Sequence, residues 1–336
     1  MPRKLGITLA FVVLLLVAIE FSYRVYSAGF AITINPFRFN SMNILPRSGL
    51  VRLSEHPEVY YELKPDLDTW FQGEPIRTNS YGLPDKEYSL EKPDNTFRVV
   101  VIGSSWTMGT GVDQGDTYHS VMEDRLNKAY PDKNFEFISF GVEMYGLREL
   151  VGTLKHRALA WDPDLIIVAI TSFTAYVDWV EPRADQVLPD QTYPFFMSFA
   201  WRQLDRRFGL GTFERGTPGR RVLRDDRRDE LVPQIKRAYG ELAALAHLKE
   251  IPIAIMWLAY GEPGDFEDEL IQTAAELDVH YIDAFRALSG TREIIETRMV
   301  SRFNPHPNIR GHQNVANKLL TDLAELNLLP AVPNES

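Results

Sequence analysis

The 336-residue chain is 45% apolar and 24% charged, an ordinary balance for a globular α/β protein, and it is long enough for one large core with an attachment. Its net charge of −10 argues against a generic binder of nucleic acid or anionic membranes, so no nucleic-acid partner is expected. The lack of cysteine excludes a disulfide framework, a thiol nucleophile and a zinc–thiolate site.

The first element is a charge-free apolar run, Leu5 to Ile19, preceded by Arg3 and Lys4. Phe21, Tyr23, Val25 and Tyr26 extend it to about 22 residues, roughly 33 Å of helix, which is enough for one membrane span. No small-x-small cleavage site follows, so residues 1–30 are expected to be an uncleaved signal anchor. With the basic end inside, the rest of the chain lies outside the cytoplasm, periplasmic or extracellular, on a single-pass membrane protein. Residues 31–95 are rich in Pro, Asn and aromatics with short alternating runs, which reads as a stalk and a small β-rich lead-in.

From residue 96 strands and helices alternate. Strands are expected at Phe97–Ile102, Phe135–Phe140, Leu165–Ile170, Pro252–Leu258 and His280–Asp283. Helices are expected at Tyr118–Ala129, Leu147–Ala160, about Glu230–Lys249, Phe266–Leu277 and Gly311–Asn327. Such alternation implies a parallel sheet covered on both faces, with its ligand site at the carboxyl ends of the strands. A long aromatic and Arg-rich insertion, 176–229, interrupts it after the third strand. It is read as a lid or substrate wall, with a membrane-lying segment or a satellite core as alternatives, and its arginines read as a solvated face or a contact with an anionic polymer or headgroups.

The chemistry is carried by RVVVIGSSWTMGTGVD, Arg98 to Asp113. A buried β-branched strand running into Gly103 permits a sharp turn that exposes Ser105 at the rim of the sheet, as a nucleophile needs; a plain strand end capping the next helix is the alternative. Far along the chain, NPHPNIRGH (Asn304 to His312) puts a histidine, His306, on the loop before the last helix, where it is available as a base. His312 reads as a loop-holding residue. Asp178, Asp265 and Asp283 are the candidate carboxylates for reaching the base through space. The histidines lack metal-ligand spacing, and Gly103, Gly109 and Gly111 lack the remainder of a phosphate or dinucleotide loop, so neither metal nor cofactor is expected.

Together these segments resemble the SGNH (GDSL-like) hydrolase family, and more narrowly its bacterial membrane-anchored members. Gly103, Ser104, Ser105, Gly109, Gly111 and Val112 match the family's first block, and His306, Pro307, Asn308, Gly311 and His312 match its last. The lead-in TNSYGLPDKEY (Thr78 to Tyr88) looks like the segment these anchored proteins carry before the nucleophile strand. The resemblance covers about Pro65 to Leu328 and implies a three-layer, flavodoxin-like parallel sheet of five strands over 96–330. It also implies Ser105 as nucleophile, His306 as base, and the N–H groups of Ser105 and Gly141 as oxyanion donors.

Two departures stand out. Phe173 falls near the position of the family's oxyanion Asn, leaving hydroxyls such as that of Thr171 to substitute. Asn304 and Phe303 stand where the acid before the histidine belongs, so Asn304 becomes the orienting group. The implied function is a membrane-anchored esterase or deacetylase acting on an acylated small molecule, polysaccharide or other envelope substrate. An O-acyltransferase of the same family and a non-catalytic envelope binding protein with a degenerate site are the alternatives; the oligomeric state is not legible.

Overall fold

The computed structural model describes residues 2–28, 45, 48–71, 73–176, 198–208, 228–261, 267–301 and 304–330. The chain opens with α1 (Pro2–Ala28), a helix whose Lys4–Tyr26 portion is long and apolar enough to cross a membrane and packs none of its apolar window inside the protein. Two antiparallel pairs follow, β1 (Val51–Leu53) with β2 (Tyr61–Leu63), and β3 (Asp68–Phe71) with β4 (Glu74–Arg77).

The alternating region begins with β5 (Thr96–Gly103), the one-turn α2 (Ser105–Met108) and α3 (Tyr118–Ala129). It continues through β6 (Asn134–Gly141), α4 (Leu147–His156), β7 (Leu165–Ile170) and α5 (Ser172–Tyr176). Helix α6 (Phe199–Phe208) lies within the insertion, and α7 (Arg228–His247) resumes the pattern with β8 (Ile253–Trp257), α8 (Glu267–Glu276) and β9 (His280–Ile282). The chain closes with α9 (Arg292–Glu296), the antiparallel pair β10 (Met299–Ser301) and β11 (Asn304–Pro307), and α10 (Ile309–Glu325).

Five strands form one parallel sheet in the order β6-β5-β7-β8-β9, the flavodoxin-like 2-1-3-4-5 arrangement. The period-two side-chain alternation splits each strand between two cores. Val100, Ile102, Val168 and Ile255 face one way, against Leu150 and Leu154 of α4, Ile235 and Leu242 of α7 and Leu270 of α8. Val99, Val101, Ile167 and Met256 face the other, against Met122 and Leu126 of α3 and Val315, Leu319 and Leu323 of α10. This is the three-layer architecture read from the alternation.

Two helix ends differ from the sequence reading. The helix from Leu147 stops at His156, and a 3₁₀ turn over Ala158–Trp161 follows. That tightening lets the Trp161 carbonyl accept from Arg98 Nη1 at 2.8 Å and places the indole ring 5.7 Å from the guanidinium. The last helix starts before Gly311 because Asn308 caps it, its Oδ1 accepting from the Gly311 N–H at 3.0 Å.

Strand β6 is an edge, and its outward N–H groups are met in turn by polar side chains. Phe135 donates to Asn127 (2.8 Å), Phe137 to Glu123 (2.7 Å) and Ser139 to Asp85 (2.9 Å). Asp85 belongs to the Thr78–Tyr88 lead-in, so this segment closes the free edge of the sheet. Within it, Asn79 Oδ1 accepts from the N–H groups of Tyr81 and Leu83, both at 3.0 Å.

Arg98 on β5 is 0% exposed. It is tolerated because Nε donates to Glu136 at 2.7 Å and the guanidinium also serves the carbonyls of Ser89, Leu90 and Trp161 at 2.8–3.0 Å. Arg98→Ala strands a carboxylate and three carbonyls, and is expected to cost about 3–5 kcal/mol. Chemical denaturation of the full-length protein in detergent measures this.

Candidate active site

Ser105 is half-buried at the first position of α2, immediately beyond the carboxyl end of β5, whereas Ser104 beside it is 2% exposed with no hydrogen-bond partner for Oγ. Of the two hydroxyls, only that of Ser105 reaches the rim. Among the described residues no acceptor takes the Ser105 N–H, as expected of the first N–H of a helical turn.

Strand β11, which carries Asn304 and His306, packs against α2, the turn that begins at Ser105. Gly111, at φ +96°, makes this approach possible: a Cβ there would lie 2.6 Å from Val300 Cγ2 and 3.4 Å from Asn304 Nδ2. Asn304 and His306 are two apart on a strand and share a face. Asn304 Oδ1 accepts from His306 Nδ1 at 2.5 Å and from the His306 backbone N–H at 3.2 Å. An amide oxygen can only accept, so Nδ1 carries the proton and Nε2 keeps its lone pair for a substrate-side proton.

The protein packed around the half-buried ring desolvates it and pushes its pKa down to about 4, so the imidazole is neutral at pH 7. No hydrogen bond joins Ser105 Oγ to His306 in this structure, a contact that commonly tightens only with substrate present.

The fold is the three-layer, flavodoxin-like one that the resemblance to the SGNH hydrolases implies. Its marks are the sheet order, a serine turn after the first sheet strand and a histidine loop before the last helix. No family model matches the sequence, and no curated protein matches it. Among solved structures, the chain is similar to an alpha/beta hydrolase enzyme from the metagenome of Lake Arreo, Spain (15% identity, 70% of this chain and 97% of that one, TM-score 0.42). It is also similar to an acetylxylan esterase from Geobacillus stearothermophilus (16%, 68% and 94%, 0.38). A third likeness is to a two-domain esterase active on acetylated mannans (13%, 71% and 52%, 0.45). At this identity and overlap they bear on neither the reaction nor the substrate of this chain.

This fold does not bring every expected donor to Ser105. The N–H of Gly141 continues the outward series of the β6 edge and donates to Ser139 Oγ at 3.3 Å, away from β5. The glycine is required for a different reason. A Cβ at Gly141 would lie 2.3 Å from Met108 N and 2.6 Å from Thr107 C, so its absence lets α2 sit directly on β6. Gly141→Ala is therefore expected to push the Ser105 turn off the sheet. A cost of about 1–3 kcal/mol with loss of ester turnover would show in thermal unfolding and a chromogenic ester assay.

Thr171 is likewise committed elsewhere. Its Oγ1 accepts from the Thr174 N–H at 3.1 Å and lies 2.9 Å from the Thr174 hydroxyl, buried as the cap of α5. Phe173, on α5, has no polar group to offer.

Two features of the rim escaped the sequence reading. In the loop after β6, Met144 adopts φ +70°, a left-handed conformation of the kind that gathers at functional sites; a methionine there gives no signal, where a glycine would have. Trp106, next to Ser105, packs its ring 4.9 Å from Tyr260 beyond β8 and makes an aromatic wall.

The remaining titratable candidates are spoken for. His312 Nδ1 accepts from the Tyr118 N–H at 3.2 Å, and burial pushes its pKa to about 3, so it joins the last helix to α3 as a neutral ring. Asp283 is paired with Lys318 at 2.9 Å and with Arg286. Asp178 and Asp265 lie outside the described residues, as do residues 177–197 and 209–227 of the insertion and Phe303. Among the described residues no group of His, Asp and Glu is arranged to hold a metal ion.

Proposed function

We propose that the protein is an exported ester hydrolase, anchored in the membrane by α1, that works through a Ser105 acyl-enzyme with His306 as the general base. The observation that carries this reading is the Asn304–His306 bond, which supports the tautomer that leaves the Nε2 lone pair available. Ser105 Oγ attacks the ester carbonyl while Nε2 takes its proton. The Ser105 N–H is the first donor to the oxyanion, and Nε2–H then protonates the departing alkoxide. Water then attacks the acyl carbon while Nε2 takes its proton, and Nε2–H returns that proton to Ser105 Oγ as the C–Oγ bond breaks and the acid leaves.

Asn304 orients the ring but adds no charge to the imidazolium, which makes this a slower relative of a full triad. The anchor and the basic residues Arg3 and Lys4 support a site outside the cytoplasm, and hence an acylated envelope or carbohydrate substrate. The commitment of the Gly141 N–H and the Thr171 hydroxyl elsewhere favours, as a second reading, an acyl-group binding protein that has lost turnover.

A chromogenic acetyl ester offered to the full-length protein, with and without an oligosaccharide acceptor, separates the readings. Release of the chromophore and of free acetate supports the hydrolase. Acetyl appearing on the acceptor makes the protein an acyltransferase, and no release from any ester chain length returns the binding reading.

A further inference from the structure

Helix α6 lies in the middle of the insertion and is attached to α1. Glu20, the single carboxylate of α1, accepts at Oε2 from the Ser198 hydroxyl at 2.7 Å and from the Ala200 N–H at 3.0 Å, while Oε1 takes Arg24 Nε at 2.6 Å. Ser198 Oγ in turn accepts from the Trp201 N–H at 2.9 Å, so one carboxylate and one hydroxyl close the start of α6. The two helices pack together around this point.

The depth of the attachment follows from helix geometry. Glu20 lies about 24 Å along the axis from Lys4, in the outer part of a hydrocarbon layer about 30 Å thick and about 6 Å short of its outer boundary. An ionised side chain there would be costly alone. Here its partners are Arg24 and the first turn of α6.

Helix α6 itself has an interfacial pattern. Trp201, Leu204 and Phe208 recur at i, i+3 and i+7, within one narrow arc of the helix, and are 45%, 45% and 68% exposed; Arg207 is exposed on the same helix. A short helix with Trp, Leu and Phe on one side and arginine beside them suits the boundary between headgroups and acyl chains.

We infer that α6 lies on the outer leaflet beside the end of α1 and buries Trp201, Leu204 and Phe208 among the lipids. The inference rests on the anchor reading above and adds a second membrane contact, drawn from an insertion that leaves the sheet at the carboxyl end of β7. The bilayer is the occupant because the exposed apolar stripe is carried by a helix that packs on the end of α1, whose own apolar side chains are exposed all round.

The cysteine-free chain allows one environment-sensitive fluorophore to be placed at a time. Leu204→Cys and Phe208→Cys report α6, Leu14→Cys reports the middle of α1, and Leu248→Cys, 79% exposed at the end of α7, reports water. The full-length variants are reconstituted in phosphatidylcholine liposomes containing lipids with a quencher placed high or low on the acyl chain. Labels at 204 and 208 are expected to be blue-shifted relative to 248 and quenched most by the high quencher, with label 14 quenched most by the low one. Labels at 204 and 208 as aqueous as 248, with label 14 quenched, overturn the docking of α6 and leave the anchor standing. An aqueous label at 14 overturns the anchor, and the inference with it.

Discussion

Asn304→Asp is expected to raise ester turnover at pH 7 by about tenfold or more, on the scale of a serine-protease triad in which the reverse change costs about 10⁴. The physical reason lies at one atom. Asn304 Oδ1 already accepts from His306 Nδ1, so the substitution keeps the geometry and adds a negative charge to the contact. That charge stabilises the imidazolium formed as Ser105 attacks, and it raises the ring pKa, now pushed down to about 4 by desolvation alone.

The pH profile separates this effect from a general improvement in folding. His306 must be unprotonated to act as base, so wild-type kcat/KM should hold its plateau in acid and fall only near pH 4. In Asn304→Asp the acid limb should move up toward the ordinary histidine range while the plateau rises. An unchanged limb with an unchanged rate contradicts the role given to Asn304.

The second large effect is loss. Ser105→Ala and His306→Ala are each expected to reduce turnover by at least about 10³-fold, since members of one catalytic unit fail together and the double variant should be scarcely worse than either. Ser104→Ala is the internal control. Its hydroxyl is buried and without a partner, so removing it should leave turnover intact and cost nothing in stability. Equal activity in Ser105→Ala and the wild type would remove Ser105 from the chemistry, and loss in Ser104→Ala alone would move the nucleophile one residue back.

Much of the fold is legible in local pattern. The β-branched run before Gly103 and the fully apolar Leu165–Ile170 are strands buried on both faces, and the 3.6-residue recurrence of apolar positions in Tyr118–Ala129 defines its helix to the residue. The placement of Asn304 and His306 on one face is also local, since it needs only a strand and a spacing of two. What the sequence could not carry depends on neighbours. Whether the Gly141 N–H faces Ser105 is decided by which side of β6 meets β5, and that side is the other one. Thr171 is a cap because a helix begins there, and the strand before it gives no sign of that. Glu123 and Asp85 look like surface acids until the edge of β6 brings N–H groups to them. The link between Glu20 and the start of α6 spans 178 residues of sequence and leaves no periodic trace.

The central claim, that Ser105 is a nucleophile served by His306, is tested most directly by intact-mass and peptide mapping after treatment of the full-length protein with a fluorophosphonate. The account predicts a single adduct on the peptide containing Ser105, formed by the wild type and by Ser104→Ala, and absent from Ser105→Ala and His306→Ala. An adduct that persists in Ser105→Ala, or a wild-type protein that takes none at all while folded, would contradict it.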